Sequence, residues 1–225
     1  MTKTQENHLK TLSEIRSLME RSSRFISLSG LSGVAAGLFA LAGATMVYIY
    51  LGVTPFENKM LYFETAASAD KWGIDYVSFF LGTGLIVLVG AICSGIYFTT
   101  RKAKRKGQPI WDALSRRLLI NLAIPLFAGG LFCVALFQQN LVGLIAPSTL
   151  IFYGLALVNA SKFTLHDIYY LGMLEISLGL IAVFNVGYGL EFWAIGFGVL
   201  HILYGMMMYW KYEKADRITA KTARQ

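Results

Sequence analysis

Six apolar runs follow one another along the chain, separated by short polar stretches, at about 25–51, 76–99, 118–137, 141–158, 169–185 and 192–210. A hydrocarbon core about 30 Å thick takes roughly 20 helical residues to cross, so each run is long enough to span a membrane. Ahead of them, residues 1–24 place Leu9, Leu12, Ile15, Leu18 and Met19 at i, i+3, i+4 spacing. That is the period of an amphipathic helix of about five turns. Its stripe is too short to argue a coiled coil; it fits a helix lying on the inner leaflet, or one pairing with a copy of itself or a cytoplasmic protein. The arm is too long and too acidic for a signal peptide. The pattern predicts an all-α fold. It is a polytopic bundle of six transmembrane helices over 25–210, preceded by a cytoplasmic amphipathic helix and followed by a basic tail, 211–225.

Small residues recur inside the spans. GVAAG sets Gly33 and Gly37 four apart, a spacing that lets two helix backbones touch within the monomer or between copies. Pro125 and Pro147 predict local kinks in spans three and four. Thr54-Pro55 ends the first span, and Gln138, Gln139 and Asn140 make a tight turn after the third. In the loop 53–75, MLYF and Trp72 predict a partial interfacial helix. Pro109, Ile110, Trp111 and Leu114 predict a second one, beginning at the proline.

Charge orients this bundle. The chain carries 20 Lys and Arg against 13 Asp and Glu, a net charge of +7. Placing both termini inside puts eighteen of the twenty cations on the cytoplasmic side and only Lys59 and Lys71 outside. The excess is therefore a positive-inside signature rather than a nucleic-acid surface. Arg101, Lys102, Lys104, Arg105 and Lys106 form its densest part and are expected to meet anionic lipid headgroups. His166 and Asp167 read as a surface pair in an inner loop. Cys93 and Cys133 lie at different depths with no CxxC, and read as small apolar fillers.

Two ionisable residues interrupt the last two runs. Glu175 and His201 each lie thirteen residues from Tyr188, in the middle of the turn between them. An antiparallel hairpin sets both roughly 20 Å from that turn, at matching depth. Gly172 and Gly179 flank the glutamate, and Gly198 and Gly205 the histidine, so each sits where another helix can approach. With the turn outside, the pair falls in the inner half of the bilayer, with Glu175 about a turn and a half from Tyr169 and within snorkelling reach. Burial favours the neutral form of each group while proximity favours the charged pair, so the two can share one proton or form an ion pair. Such a pair is either a polar clamp between helices five and six or a proton- or ligand-linked site. A watery route to Glu175 would mark conduction, and dry close packing the clamp.

No GxSxG, HExxH, CxxC or phosphate-binding glycine loop is present, and nothing beside Glu175 and His201 supplies a nucleophile, metal or oxyanion site. The chain therefore reads as non-enzymatic, with no cofactor and no metal. The order of SLSGLSGVAAG, IWDALSRRLLINLAIPLFAGG and HDIYYLGMLEISLGLIAVF with its partner FWAIGFGVLHILYGMMMYWKYE resembles an uncharacterised family of small six-span bacterial inner-membrane proteins. The resemblance covers most of the chain apart from the loop after the first span, and implies a bacterial inner-membrane protein without catalytic residues. On glycine spacing alone, the closing hairpin is also similar to those of acid-resistance membrane proteins built from two-helix repeats. Two functions follow as expectations. The first is a structural, sensory or regulatory membrane protein working through lipid, a cytoplasmic partner or self-association. The second is a small proton-linked transporter or channel using Glu175 and His201, with an inverted repeat of spans 1–3 and 4–6 as its architecture.

Overall fold

The computed structural model describes residues 29–57, 70–105, 107 and 110–214. The expected amphipathic helix, MLYF, Lys106 and Pro109 lie outside them. Among the described residues, six helices are long and apolar enough to cross a membrane: α1 Gly30–Leu51, α2 Tyr76–Arg105, α3 Ala113–Gln138, α4 Val142–Phe163, α5 Asp167–Phe184 and α6 Gly189–Glu213. The protein is an all-α, multi-pass membrane bundle.

Local chemistry sets the helix ends. Gly52 takes φ of 72° and returns its N–H to the Tyr48 carbonyl, closing α1 as only a residue at ease in the left-handed region does cheaply. Asp112 caps α3 by accepting the Ser115 N–H at 2.7 Å. That hydrogen bonding from the Ser115 hydroxyl and backbone holds the Asp112 carboxyl below the usual carboxylate range. Residues 110–112 are bends leading directly into α3, so the short interfacial helix expected around Pro109 is replaced by an extended, capped span. Pro125 sits inside an unbroken α3. Pro147 falls in the first turn of the α-helical part of α4, Ile145–Ala160, where no partner is needed for its missing N–H, and it does not break the span.

Trp72 is likewise not helical. Asp70–Lys71 and Ile74–Asp75 form an antiparallel two-residue ladder, and Trp72 and Gly73 both take positive φ in the turn between them. That is the primed geometry whose twist suits a tight hairpin. Tyr50 ties this hairpin to α1, its hydroxyl donating to the Ile74 carbonyl at 2.6 Å.

The helices pack in two sets. α1 lies between α2 and α6, while α4 lies between α3 and α5. Thus α3 joins the later helices and α6 the earlier ones, so each set draws on both sequential halves, and advancing every helix number by three carries the pairings of one set onto those of the other. Glycines make both close seams. A Cβ on Gly172 would lie 2.8 Å from the Gly154 carbonyl, and one on Gly37 would lie 2.6 Å from the Gly198 carbonyl. A Cβ on Gly33 would lie 3.2 Å from the Gly205 Cα. The GxxxG of α1 is therefore spent inside the chain, on α6. By contrast α2 and α3 bury almost none of their length and offer apolar side chains such as Leu85, Ile86, Ile124 and Phe127 outward.

Candidate functional site

Glu175 on α5 and His201 on α6 meet across the boundary between the two helix sets, with Nδ1 3.4 Å from Oε1. Each is delivered by its own seam. Gly172 and Gly179 press α5 onto α4, where Gly179 approaches the Pro147 carbonyl. Gly205 and Gly198 press α6 onto α1. Glycines flanking the pair therefore bind it to α4 and α1, and α5 and α6 touch each other little.

Glu175 is 0% exposed and His201 6%. A snorkelling glutamate, as its distance from Tyr169 allowed, would be part-exposed; the fully buried side chain turns into the bundle instead. Its carboxyl lies against Gly196, where a Cβ would meet Oε2 and the Leu150 and Leu178 methyls together. Among the described residues, neither carboxyl oxygen has a hydrogen-bond partner. The imidazole is better provided. Nε2 is 2.8 Å from the Tyr153 hydroxyl of α4, and Nδ1 is 3.0 Å from the Gly196 carbonyl on its own helix. Gly196 lies in a π-helical stretch, Ala194–Leu200, that directly precedes His201. The rings of Tyr153, Phe197 and His201 pack within 4.9–5.9 Å of one another. A second partly orphaned carboxyl, Glu191, lies near the other end of α6, where Oε1 accepts the Phe56 N–H at 3.2 Å and Oε2 has no partner.

Near the end of the bundle where α1 starts, three sequence expectations are corrected. Lys102 is 8% exposed and pairs with Glu213 at 3.3 Å, so it is not presented to headgroups; Arg101, Lys104 and Arg105 are exposed. Residues 211–213, the start of the expected basic tail, belong to α6, and Glu213 also accepts the Ser29 hydroxyl at 3.0 Å and the Gly30 N–H at 2.8 Å. Asp167 is no surface partner of His166. It is buried and accepts bonds from Lys211 at 3.0 Å and the Tyr212 hydroxyl at 2.7 Å. His166 instead stacks on Tyr169.

Tyr153 and Glu213 are polar participants that sequence reading missed, and Lys102 is one that it assigned to headgroups instead of an ion pair. Tyr153 had one available signal, a hydroxyl in mid-span. Chemically, the Glu175–His201–Tyr153 cluster can hold, share and pass a proton, and among the described residues no group of three His, Cys, Asp or Glu could hold a metal ion. Comparison with family models, with curated proteins and with solved structures finds no match to this chain.

Proposed function

We propose that this is a non-enzymatic integral membrane protein with a sensory or regulatory role, in which the protonation state of the Glu175–His201 pair sets the fit between the two helix sets. The observation that carries this reading is the carboxyl of Glu175, fully buried with neither oxygen hydrogen-bonded. A clamp that served only stability would have its oxygens satisfied, because an unpaired buried polar group is destabilising by about 1–3 kcal/mol. An unsatisfied carboxyl at a helix boundary is a feature whose energy changes with each proton gained or lost. The packing of Gly196, Leu150 and Leu178 directly on the carboxyl is the dry contact of a clamp rather than of a conducting path, and the unsatisfied oxygens are what would make that clamp respond to protons.

The basic asymmetry of the loops supports both termini being cytoplasmic, and the family resemblance implies a bacterial inner membrane. The arm, the exposed cations Arg101, Lys104 and Arg105, and anionic headgroups would then face the same compartment as a partner protein or second copy. Proton-linked transport through Glu175 and His201 is the second reading, and the unsatisfied oxygens are the observation that favours it.

In nanodiscs, infrared spectra should show a protonated carboxyl band that disappears with rising pH and is missing in Glu175→Gln. A spin-label distance between α5 and α6 should change over the same pH range. A band and a distance that stay constant from mildly acidic to mildly alkaline pH would refute the switch. Proton flux into proteoliposomes, lost in Glu175→Gln, would establish transport in its place.

A further inference from the structure

We infer that the α5–α6 hairpin is a lever. It pivots at the turn between the two helices, carries the Glu175–His201 pair at mid-length, and ends in the Asp167 contacts, which part when the fit at the pair changes. This deepens the proposed function and rests on it. The two helix sets are held differently inside and between. Within each set the seams are backbone against backbone: Gly33 and Gly37 of α1 face α6, and Gly154 of α4 faces Gly172 of α5. A bare backbone contact has no side chain to rearrange, so each set moves as one body. Between the sets the contacts are made by side chains. Tyr153 and Glu175 meet His201, and Leu157 and Leu171 share a cluster with Met208. Side chains change rotamer, so this boundary is where movement is easiest.

The pivot lies at the end opposite Asp167. There the chain crosses between the sets through the turn from Asn185 to Tyr188, in which Gly187 takes φ of 107°. Beside it a Cβ on Gly189 of α6 would lie 3.2 Å from the Ala146 Cβ of α4, so the sets stay in close contact at this end. The second crossing, from Arg105 to Ala113, reaches up to about 25 Å when extended. It joins α2 to α3, which pack on α1 and α4 and not along each other. It holds Gly107 at φ of 61° and can follow the motion.

Lever lengths set what the motion does. The pair lies thirteen residues from Tyr188 on each helix, and Asp167 and Lys211 lie 21 and 23 residues away. At 1.5 Å per residue these are roughly 20 Å and roughly 33 Å. A rotation of about 10° at the turn moves the pair by roughly 3.5 Å and the far contact by about 6 Å. There Asp167 accepts Lys211 at 3.0 Å and the Tyr212 hydroxyl at 2.7 Å, bonds that a separation of that size breaks. A small change at a buried site thus becomes the opening of an ion pair at the end where α1 starts. The group facing the pair from α4 is Tyr153, and α1 meets this stretch of α6 with Gly33 and Gly37, which carry no charge. At the far contact the facing groups are Lys211, Tyr212 and Tyr204 of α6.

The test places spin labels on the full chain in nanodiscs, with the free cysteines Cys93 and Cys133 replaced by alanine. Labels go on exposed positions. Two pairs cross the boundary at different distances from the turn, Leu174 with Leu203 and Tyr170 with Trp210. Two more stay within a set, Leu38 with Leu203 and Leu155 with Leu174. Between mildly acidic and mildly alkaline pH both crossing distances should change, the Tyr170–Trp210 change being about 1.4 times the other, in the ratio of their offsets from Tyr188. The pairs within a set should stay constant. Asp167→Asn should lengthen the Tyr170–Trp210 distance at fixed pH. Equal changes in the two crossing pairs mean sliding, and a change within a set means local bending. Either overturns the lever, as does an Asp167→Asn distance equal to the wild type, and all three leave the proposed function standing. Crossing distances that never change overturn the proposed function itself.

Discussion

A double-mutant cycle across the Glu175–His201 contact measures how the pair is charged. The substitutions are Glu175→Leu, His201→Leu and the two combined, chosen because leucine fills space without a polar atom. At 3.4 Å, two full charges in surroundings of effective dielectric about 20 would attract by roughly 5 kcal/mol. A neutral pair behaves as an interhelical hydrogen bond, worth about 0.6 kcal/mol on average and up to about 1.7. Nδ1 has its hydrogen-bond acceptor in the Gly196 carbonyl, so Oε1 at 3.4 Å is a weaker polar contact and not a hydrogen bond. We therefore expect a coupling energy of about 1 kcal/mol at neutral pH. Each single substitution should cost more than the coupling, since His201→Leu strips the carboxyl of its nearest polar neighbour and Glu175→Leu exchanges shape in a tight site. Unfolding in mixed micelles, followed by steric trapping, gives the four free energies required. A coupling above about 3 kcal/mol would mean a full ion pair at rest, and would refute a neutral pair sharing one proton.

Two further outcomes follow from the packing and the caps. Gly172→Ala places a methyl 2.8 Å from the Gly154 carbonyl and should destabilise by about 1–3 kcal/mol, measured by the same unfolding assay, whereas Gly95→Ala, with nothing within 4 Å, should not destabilise. Asp112 has a folded-state pKa below its ordinary value, so its contribution is fully present above the unfolded-state value and is lost as pH falls through the folded one. Acidification to below about 4 should release the start of α3, read by the fluorescence of neighbouring Trp111, and Asp112→Ala should show that state at neutral pH with no such transition.

The spans were legible because a membrane imposes length and apolarity on every crossing, and those two properties are written directly in the runs. Glu175 and His201 were legible for the same reason: a charge stands out in hydrocarbon, and equal offsets from Tyr188 set their depth. Their neighbours were harder to read. The apolar helices carry hydrophobic residues on every face, so nothing in α6 says that it returns to α1 or that α3 turns to α4. Tyr153 is half apolar and passes as an ordinary ring. Lys102 hides among five cations and Glu213 in what reads as a tail, because ion pairing between distant segments leaves no local pattern. Trp72 reads as an interfacial helix residue, whereas Gly73 beside it permits the hairpin turn.

The bond from Ser29 to Glu213 joins residues 184 positions apart, just ahead of α1 and at the last turn of α6. Translation at about 5–20 residues per second separates their appearance by roughly ten to forty seconds. Throughout that interval α1 stands in the bilayer with an uncapped amino end and a bare glycine face, joined only by α2. The insertion machinery or surrounding lipid must shelter it until the final helix arrives. Until Glu213 has been made, the Ser29 hydroxyl and the Gly30 N–H lack the carboxylate that accepts them, so closure of the bundle waits on the last turn of α6.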